Sequence, residues 1–399
     1  MRKLPLKTLF HYGLTFAESK LKKIYSKNPK LTRPIVGIFQ PTLQCNFHCP
    51  YCDDGTGKSY PFREDTFHTN LDQTKAALKA FKKICPAISV SGGEITLRSD
   101  LVDIFKYINE LNFNPVGLNT NGFLLDKYFD ILDKIDYLIV SLDSFDPERK
   151  KILSGVIHDK SSERVLKNIN HAIQVKKEKK MKFDIIINTL ILPETISDAW
   201  GVFEFCLNND IYWSPMPHIH GVYPNPGLID NPDYEMLIEE VIKAKKAGAR
   251  IFGTLEGLKI MKTFKRFECY PMSRLTMTAE GDIYYPCPPI GQKAGNLVSD
   301  GMYKDIIKSA EKNFGIIPSC DSRCHINCYL EGSLLLSNPM NGIKESLSMI
   351  FPKKNNYRIS LKKNELKQIK VPTRDDIKKI KALPPETIRS SRAKKTQTK

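Results

Sequence analysis

Three thiols stand within eight residues, Cys45, Cys49 and Cys52, in the run Cys45-Asn-Phe-His-Cys49-Pro-Tyr-Cys52. Soft thiolates are the usual ligands of iron–sulfur clusters, and this spacing lets one loop wrap three corners of an iron–sulfur cube. Three ligands leave one iron without a protein donor, which is useful only when something else binds there. Zinc is the competing metal, but it asks for a fourth ligand, and His48, inside the loop, suits packing better. A second set lies far downstream: Cys269, Cys287, Cys320, Cys324 and Cys328. Four thiolates of such a set also make a structural zinc site, so both metals stay open there. Cys85 and Cys206 stand alone in apolar helical surroundings and are expected to be buried and inert.

The elements that must position these thiols follow from apolar periodicity. Strand-length apolar runs fall at 35–40, 87–92, 115–121, 137–143, 183–192 and 211–216. Helical patterns separate them at 71–84 and 100–111, with Ser99 as candidate cap, and near 125–134, 162–180, 196–208 and 233–247. Six βα units with near-continuous apolar strands predict an α/β fold with a parallel sheet and outer helices. Six are too few for a closed eight-fold barrel. A partial barrel or a doubly wound sheet is expected, and both put their chemistry at the C-terminal ends of the strands. The cysteine triplet follows the first strand, which is such a place. After about residue 255 the texture changes to turns, prolines and cysteines. The expected organisation is a basic amphipathic segment (1–34), the βα core (35–255), a small cysteine-rich domain (256–333) and a basic, partly disordered tail (334–399).

Charge divides the chain in the same way. Of 399 residues, 61 are Lys or Arg and 44 are Asp or Glu, a net +17. The first 34 residues hold nine Lys/Arg and one acid, and the last 47 hold sixteen and four, so the middle is nearly neutral. Leu6, Phe10, Leu14, Ala17, Leu21 and Ile24 form one helical stripe with lysines clustered toward its end. A stripe of that kind rests on anionic lipid or packs on the core, with the tail solvated. No apolar run is long enough to span a bilayer, and the first residues do not read as a signal peptide. A reducing cytoplasmic setting is therefore expected, with peripheral contact at the inner membrane surface as an extension. His218 and His220, with Trp213, Met216 and Tyr223, are expected around the mouth of the site.

The triplet resembles the CxxxCxxC signature of the radical S-adenosylmethionine (SAM) superfamily, including the aromatic Tyr51 before the last cysteine. Further matches come in order at later strand ends: Ser91-Gly92-Gly93-Glu94, Asn119-Thr120-Asn121-Gly122 and Ser141-Leu142-Asp143. Taken singly, each is an ordinary turn; after the triplet, the series is specific. The resemblance covers about 35 to 330 and implies a partial (β/α)6 barrel. It also implies an enzyme whose [4Fe-4S] cluster, on Cys45, Cys49 and Cys52, takes SAM at the open iron. There SAM is cleaved reductively to a 5′-deoxyadenosyl radical that acts on an unactivated carbon. By the same resemblance Gly92, Gly93 and Glu94 face the methionine moiety, Ser141 and Asn188 the ribose, the Tyr51 backbone and the region of Pro215 the adenine, with Asn119 beside them. Many relatives carry Arg-Gly after the fourth strand. Here Ile152-Leu153-Ser154-Gly155 stands there, leaving no arginine for the SAM carboxylate and Arg149 as a weak substitute.

The second cysteine set, around a hairpin turning at Glu280-Gly281, resembles the SPASM or twitch extension of some radical SAM enzymes. That resemblance implies one auxiliary [4Fe-4S] cluster on Cys269, Cys287, Cys324 and Cys328, with Cys320 the uncertain member. The overall plan is similar in architecture to the hopanoid-biosynthesis radical SAM enzymes, which points to a lipid or other small-molecule substrate. An electron donor such as ferredoxin or flavodoxin is implied. A peptide-modifying maturase is the alternative within enzymes. A zinc-binding, nucleic-acid-associated protein is the alternative outside them, although no nucleic-acid partner is expected.

Overall fold

Apolar runs that are buried on both faces pair best in parallel, with helices covering each side. The computed structural model describes residues 6–25, 31–52, 69–155, 161–290, 292–315, 324–325, 327–338, 357 and 359. Its strands are β1 (Val36–Gln40), β2 (Ile88–Val90), β3 (Val116–Thr120), β4 (Tyr137–Ser141), β5 (Asp184–Ile191) and β6 (Tyr212–Pro217). They pair in chain order, all parallel. All six coincide with the apolar runs of the sequence. The result is the expected α/β architecture, six parallel strands of a partial barrel.

The helices are α1 (Leu6–Tyr25), α2 (Leu71–Lys82), α3 (Leu101–Glu110), α4 (Pro147–Ser154), α5 (Ser161–Glu178), α6 (Ile196–Asn209) and α7 (Pro232–Lys246). Beyond the barrel come α8 (Leu255–Lys262), α9 (Tyr303–Phe314) and α10 (Asn327–Ser337). The core lies between the strands and α2, α3, α5, α6 and α7, where Phe81, Phe105, Ile169, Phe203 and Tyr234 are fully buried.

Two local expectations are corrected, and one helix appears that the apolar pattern does not announce. The stretch near 125–134 is not an α-helix but two 3-10 turns, Leu125–Lys127 and Phe129–Ile131. Tyr128 between them, at φ −134°, breaks the helical run. The α3 N-cap is Asp100 rather than Ser99, and the Asp100 carboxylate is held by Arg98 instead of capping. Helix α4 has no apolar stripe to announce it; its signal is cap chemistry, Asp146 accepting from Arg149 N with Pro147 in the first turn.

The segment after α8 joins the same sheet. Strand β9 (Arg274–Thr278) pairs in parallel with β1 along its whole length, from Val36↔Arg274 to Gln40↔Thr278. An open barrel leaves its first strand with unpaired backbone groups, and β9 satisfies them. Strands β10 (Asp282–Tyr285) and β11 (Gln292–Asn296) continue antiparallel. The turn before β10 uses Gly281 at φ +98°, as the Glu280-Gly281 pair predicts. A short hairpin, β7 (Ile219–His220) with β8 (Tyr223–Pro224), follows β6. Most of the basic tail, and Cys320, lie outside the described residues.

Candidate active site

The C-terminal ends of β1 to β5 surround one cavity of about 320 Å³. Cys45, Cys49 and Cys52 all line it. Around them stand Gly92 and Gly93 after β2, Asn119 and Asn121 at β3, Ser141 and Asp143 at β4, and Asn188 on β5. Register explains one juxtaposition: Ser141 is the direct parallel partner of Asn188, which sets both side by side at the rim.

The cysteine loop has no regular structure, so its position depends on ties to its neighbours. Gly93 N donates to Thr42 O (3.0 Å) and Glu94 N to Gln44 O (2.7 Å). Asn121 Nδ2 donates to Asn46 Oδ1 (2.8 Å), and His48 N to Ser154 O (2.7 Å). The Tyr51 hydroxyl donates to Asp143 Oδ2 (2.5 Å). The ends of β2, β3, β4 and helix α4 each hold the loop once or twice.

The glycines act through these ties. A Cβ on Gly93 would lie 2.2 Å from Gln44 O, and one on Gly92 would lie 2.2 Å from Thr42 O. Gly92 also sits at φ +149°, where side chains are rarely tolerated. The pair thus makes room for the backbone leading into the triplet, besides lining the cavity. Gly155, the left-handed cap of α4 at φ +64°, does the same for the His48 carbonyl, 2.2 Å from a built Cβ.

Glu94 is placed differently from the expected contact with the methionine moiety. It is buried and does not line the described cavity. Its Oε1 accepts from Thr96 N (3.0 Å), Thr96 Oγ1 (2.5 Å) and Thr120 Oγ1 (2.7 Å), and its Oε2 from Asn121 N (2.7 Å). With all these bonds made, the carboxylate fixes Asn121, and Asn121 fixes Asn46 beside Cys45. Burial pushes the Glu94 carboxyl upward against these same hydrogen bonds. Tyr51 enters the site through its hydroxyl as well as its backbone. Asn119 lines the cavity, with Nδ2 donating to Ser91 Oγ at 3.2 Å.

Burial dominates the electrostatics. It pushes the Cys45 thiol up to about 11 and the Cys49 thiol higher still. Lys150, on α4, also lines the cavity and is 6% exposed. Its Nζ makes no hydrogen bond or ion pair among the described residues. Desolvation lowers it to about 8, against the pull of Asp143 and Cys49. Sequence reasoning missed Lys150 because α4 itself was missed, and it missed Asn121 because Asn-Gly reads as a turn. Arg149 is no substitute clamp: it pairs with Asp198 on α6 and does not line the cavity.

None of the other expected rim residues lines this cavity. Trp213 is fully buried, stacked on Phe203 with Nε1 donating to Thr189 Oγ1 (2.8 Å). Pro215 is buried and absent from the lining. His218 is buried with Asn225 Nδ2 3.1 Å from its Nδ1, while Tyr223 is exposed. In the second cysteine set, Cys269 and Cys324 pack into one cluster with Phe267, Leu330 and Leu334. Cys287 is half-buried just past β10, and Cys328 lies on α10, its side chain outside the description. Cys85 and Cys206 are buried.

The residues suit an iron–sulfur cluster. The cavity's only soft donors among the described residues are the three thiols; His48 is exposed and does not line it. In a four-iron cube each thiolate meets a different iron, so the three need to line one cavity rather than converge on one point. Cys45, Cys49 and Cys52 all line this one cavity.

Residues 39–206 match the Radical SAM superfamily, and the chain carries a radical SAM domain. Among curated relatives, a probable GTP 3′,8-cyclase of Methanothermobacter thermautotrophicus is 28% identical over 186 residues, 44% of this chain and 54% of that one. A protein of the same name from Methanocaldococcus jannaschii is 27% identical over 261 residues, 62% of this chain and 82% of that one. The chain spans about half the length of most of the curated relatives it matches. Among solved structures, Streptococcus suis SuiB bound to its precursor peptide SuiA aligns with a TM-score of 0.54 at 18% identity, covering 77% of this chain and 70% of that one. SuiB bound to S-adenosylmethionine aligns at 0.52 and 18%, covering 72% and 70%. These structures share the fold. Among the described residues no helix is long and apolar enough to cross a membrane.

Proposed function

We propose that Cys45, Cys49 and Cys52 hold a [4Fe-4S] cluster and that the cavity beside them binds SAM. When bound, the cluster supplies an electron that cleaves SAM to methionine and a 5′-deoxyadenosyl radical, which abstracts hydrogen from an unactivated carbon of the substrate. The chain's residues bind, orient and exclude water. Ser141 and Asn188, side by side at the rim, offer hydrogen bonds to ribose hydroxyls. Asn119 and the backbone at Gly92 and Gly93 border the methionine end. Lys150, a buried ammonium whose Nζ has no hydrogen-bond partner among the described residues, is the cation proposed to face the SAM carboxylate where no arginine stands. A single observation carries this reading: all three thiols and the ends of β2 to β5 line one cavity.

The test is anaerobic reconstitution followed by a dithionite assay for 5′-deoxyadenosine. Nucleoside release that needs the triplet supports the reading, and its absence from fully iron-loaded protein contradicts it. A ferredoxin or flavodoxin is the proposed physiological donor, in the cytoplasm. A second cluster is proposed on Cys269, Cys287, Cys324 and Cys328, with Cys320 in reserve, supported by the shared burial of Cys269 and Cys324. The proposed substrate is a small molecule. The lipid reading draws on the basic ends of the chain and on the architectural likeness to hopanoid enzymes. The names of the curated relatives point to a nucleotide, and the SuiB likeness to a peptide.

A further inference from the structure

Helix α1 is amphipathic in the reverse sense. Phe10, Leu14, Ala17, Leu21 and Ile24 recur every three or four residues on one side, and that side faces solvent. Phe10 is 68% and Ile24 83% exposed. The opposite side, buried against the body, carries Thr8, Thr15 and Ser19. Its anchors are mixed: Thr8 Oγ1 donates to Asn114 O (3.1 Å), His11 Nε2 lies 2.8 Å from Pro34 O, and Tyr12 packs against the cluster of Ile35, Tyr270 and Leu336. Pro34 precedes β1 and Asn114 precedes β3, so α1 lies across the N-terminal ends of the strands. The cavity opens at their C-terminal ends, on the far side of the barrel.

We propose that this outward stripe seats the protein on an anionic lipid bilayer, with the mouth of the cavity turned away from the membrane. An exposed apolar stripe of this length marks an interaction surface. Charge selects the occupant. The first 34 residues hold nine Lys/Arg against one acid, Glu18. That acid is already neutralised by Lys22 (2.7 Å) and Arg33 (2.9 Å). A second copy docking symmetrically would bring two such cationic segments together, which repel, whereas anionic headgroups attract them. The chain also leaves α10 beside this helix, where Lys20 Nζ donates to Ser337 O (3.2 Å). From there it runs on to a tail with sixteen Lys/Arg in its last 47 residues. The orientation separates membrane seating from substrate choice: a seated enzyme takes its substrate from the aqueous side.

The inference does not depend on the SAM chemistry, and its test needs no turnover. Full-length protein is floated with vesicles of phosphatidylcholine containing phosphatidylglycerol. The expected result is co-flotation that high salt weakens and that Phe10→Ser/Leu21→Ser/Ile24→Ser reduces by more than about tenfold. These side chains are exposed, so the variant keeps its fold, which circular dichroism checks. Orientation is read by tryptophan fluorescence against brominated lipid tails. Phe10→Trp is expected to be quenched, and Tyr223→Trp, on the β7–β8 hairpin past β6, to stay bright; native Trp200 and Trp213 are buried. Wild-type protein that stays off the vesicles overturns the proposal, whether the stripe then proves to hold a dimer or to be covered by the chain's own residues. Quenching at position 223 rather than 10 overturns the orientation.

Discussion

The Tyr51 hydroxyl donates a 2.5 Å hydrogen bond to Asp143 Oδ2, and Asp143 Oδ1 accepts from Leu190 N at 2.8 Å. One carboxylate therefore links the cysteine loop, the end of β4 and the end of β5. Burial raises both groups, so the phenol stays protonated and remains the donor. Tyr51→Phe removes that donor and leaves a buried carboxylate one bond short, at a cost of about 1.5–3 kcal/mol. The melting temperature of the metal-free protein is expected to fall, and the reconstituted protein to lose iron faster to a chelator. An unchanged melt together with unchanged iron retention would remove this tie from the account.

Gly93→Ala places a methyl carbon 2.2 Å from Gln44 O and 2.5 Å from Leu43 O, both backbone atoms. The loop must shift, and with it Cys45. Expression as a folded protein with at least a tenfold lower yield of 5′-deoxyadenosine is the expected outcome, since small displacements of reacting groups cost rate steeply. Near-normal yield would show that the close approach has no bearing on the cluster.

Lys150 is the cation that sequence reading leaves out. Losing a charge-assisted contact worth about 1.5–3 kcal/mol predicts a ten- to hundredfold weaker dissociation constant for SAM in Lys150→Met, with partial rescue in Lys150→Arg. Equilibrium dialysis on reconstituted protein measures this without turnover. Equal affinity in the three proteins would exclude a role for Lys150 in holding SAM.

His218 carries a pH signature. Desolvation, then the neighbouring His220, lowers it to about 4 from an ordinary 6.5. The unfolded chain takes up the proton first as pH falls, so the stability this neutral ring contributes is present above 6.5 and lost toward 4. By pH 5 the loss is about 2 kcal/mol relative to neutral pH. His218→Gln is expected to flatten that part of the profile of urea midpoints between pH 7 and 5. A variant profile parallel to wild type would refute the assignment.

The strands were legible because buried parallel strands leave continuous apolar runs, and each of the six runs became one of β1 to β6. The triplet was legible because metal chemistry demands short, regular spacing. What stayed hidden depends on long-range contact. That Glu94 ties the ends of β2 and β3 together shows only in its hydrogen bonds to Thr96, Thr120 and Asn121. The reason for Gly92 and Gly93 lies 50 residues upstream, in the carbonyls of Thr42 and Gln44. Trp213 looks like a rim residue until Thr189 and Phe203 claim it. Helix α4, rich in charge and poor in apolar periodicity, was written only in its Asp146-Pro147 cap, and Lys150 went unseen with it. The α1 stripe was legible, but the direction it faces was not.

The central claim is that the thiols at 45, 49 and 52 hold a cluster with one iron open to SAM. The most direct measurement compares wild type with Cys45→Ala/Cys49→Ala/Cys52→Ala after identical anaerobic reconstitution, counting iron and 5′-deoxyadenosine. The account predicts that the variant binds about four fewer irons per chain and releases no nucleoside. A variant that still cleaves SAM at the wild-type rate would contradict it.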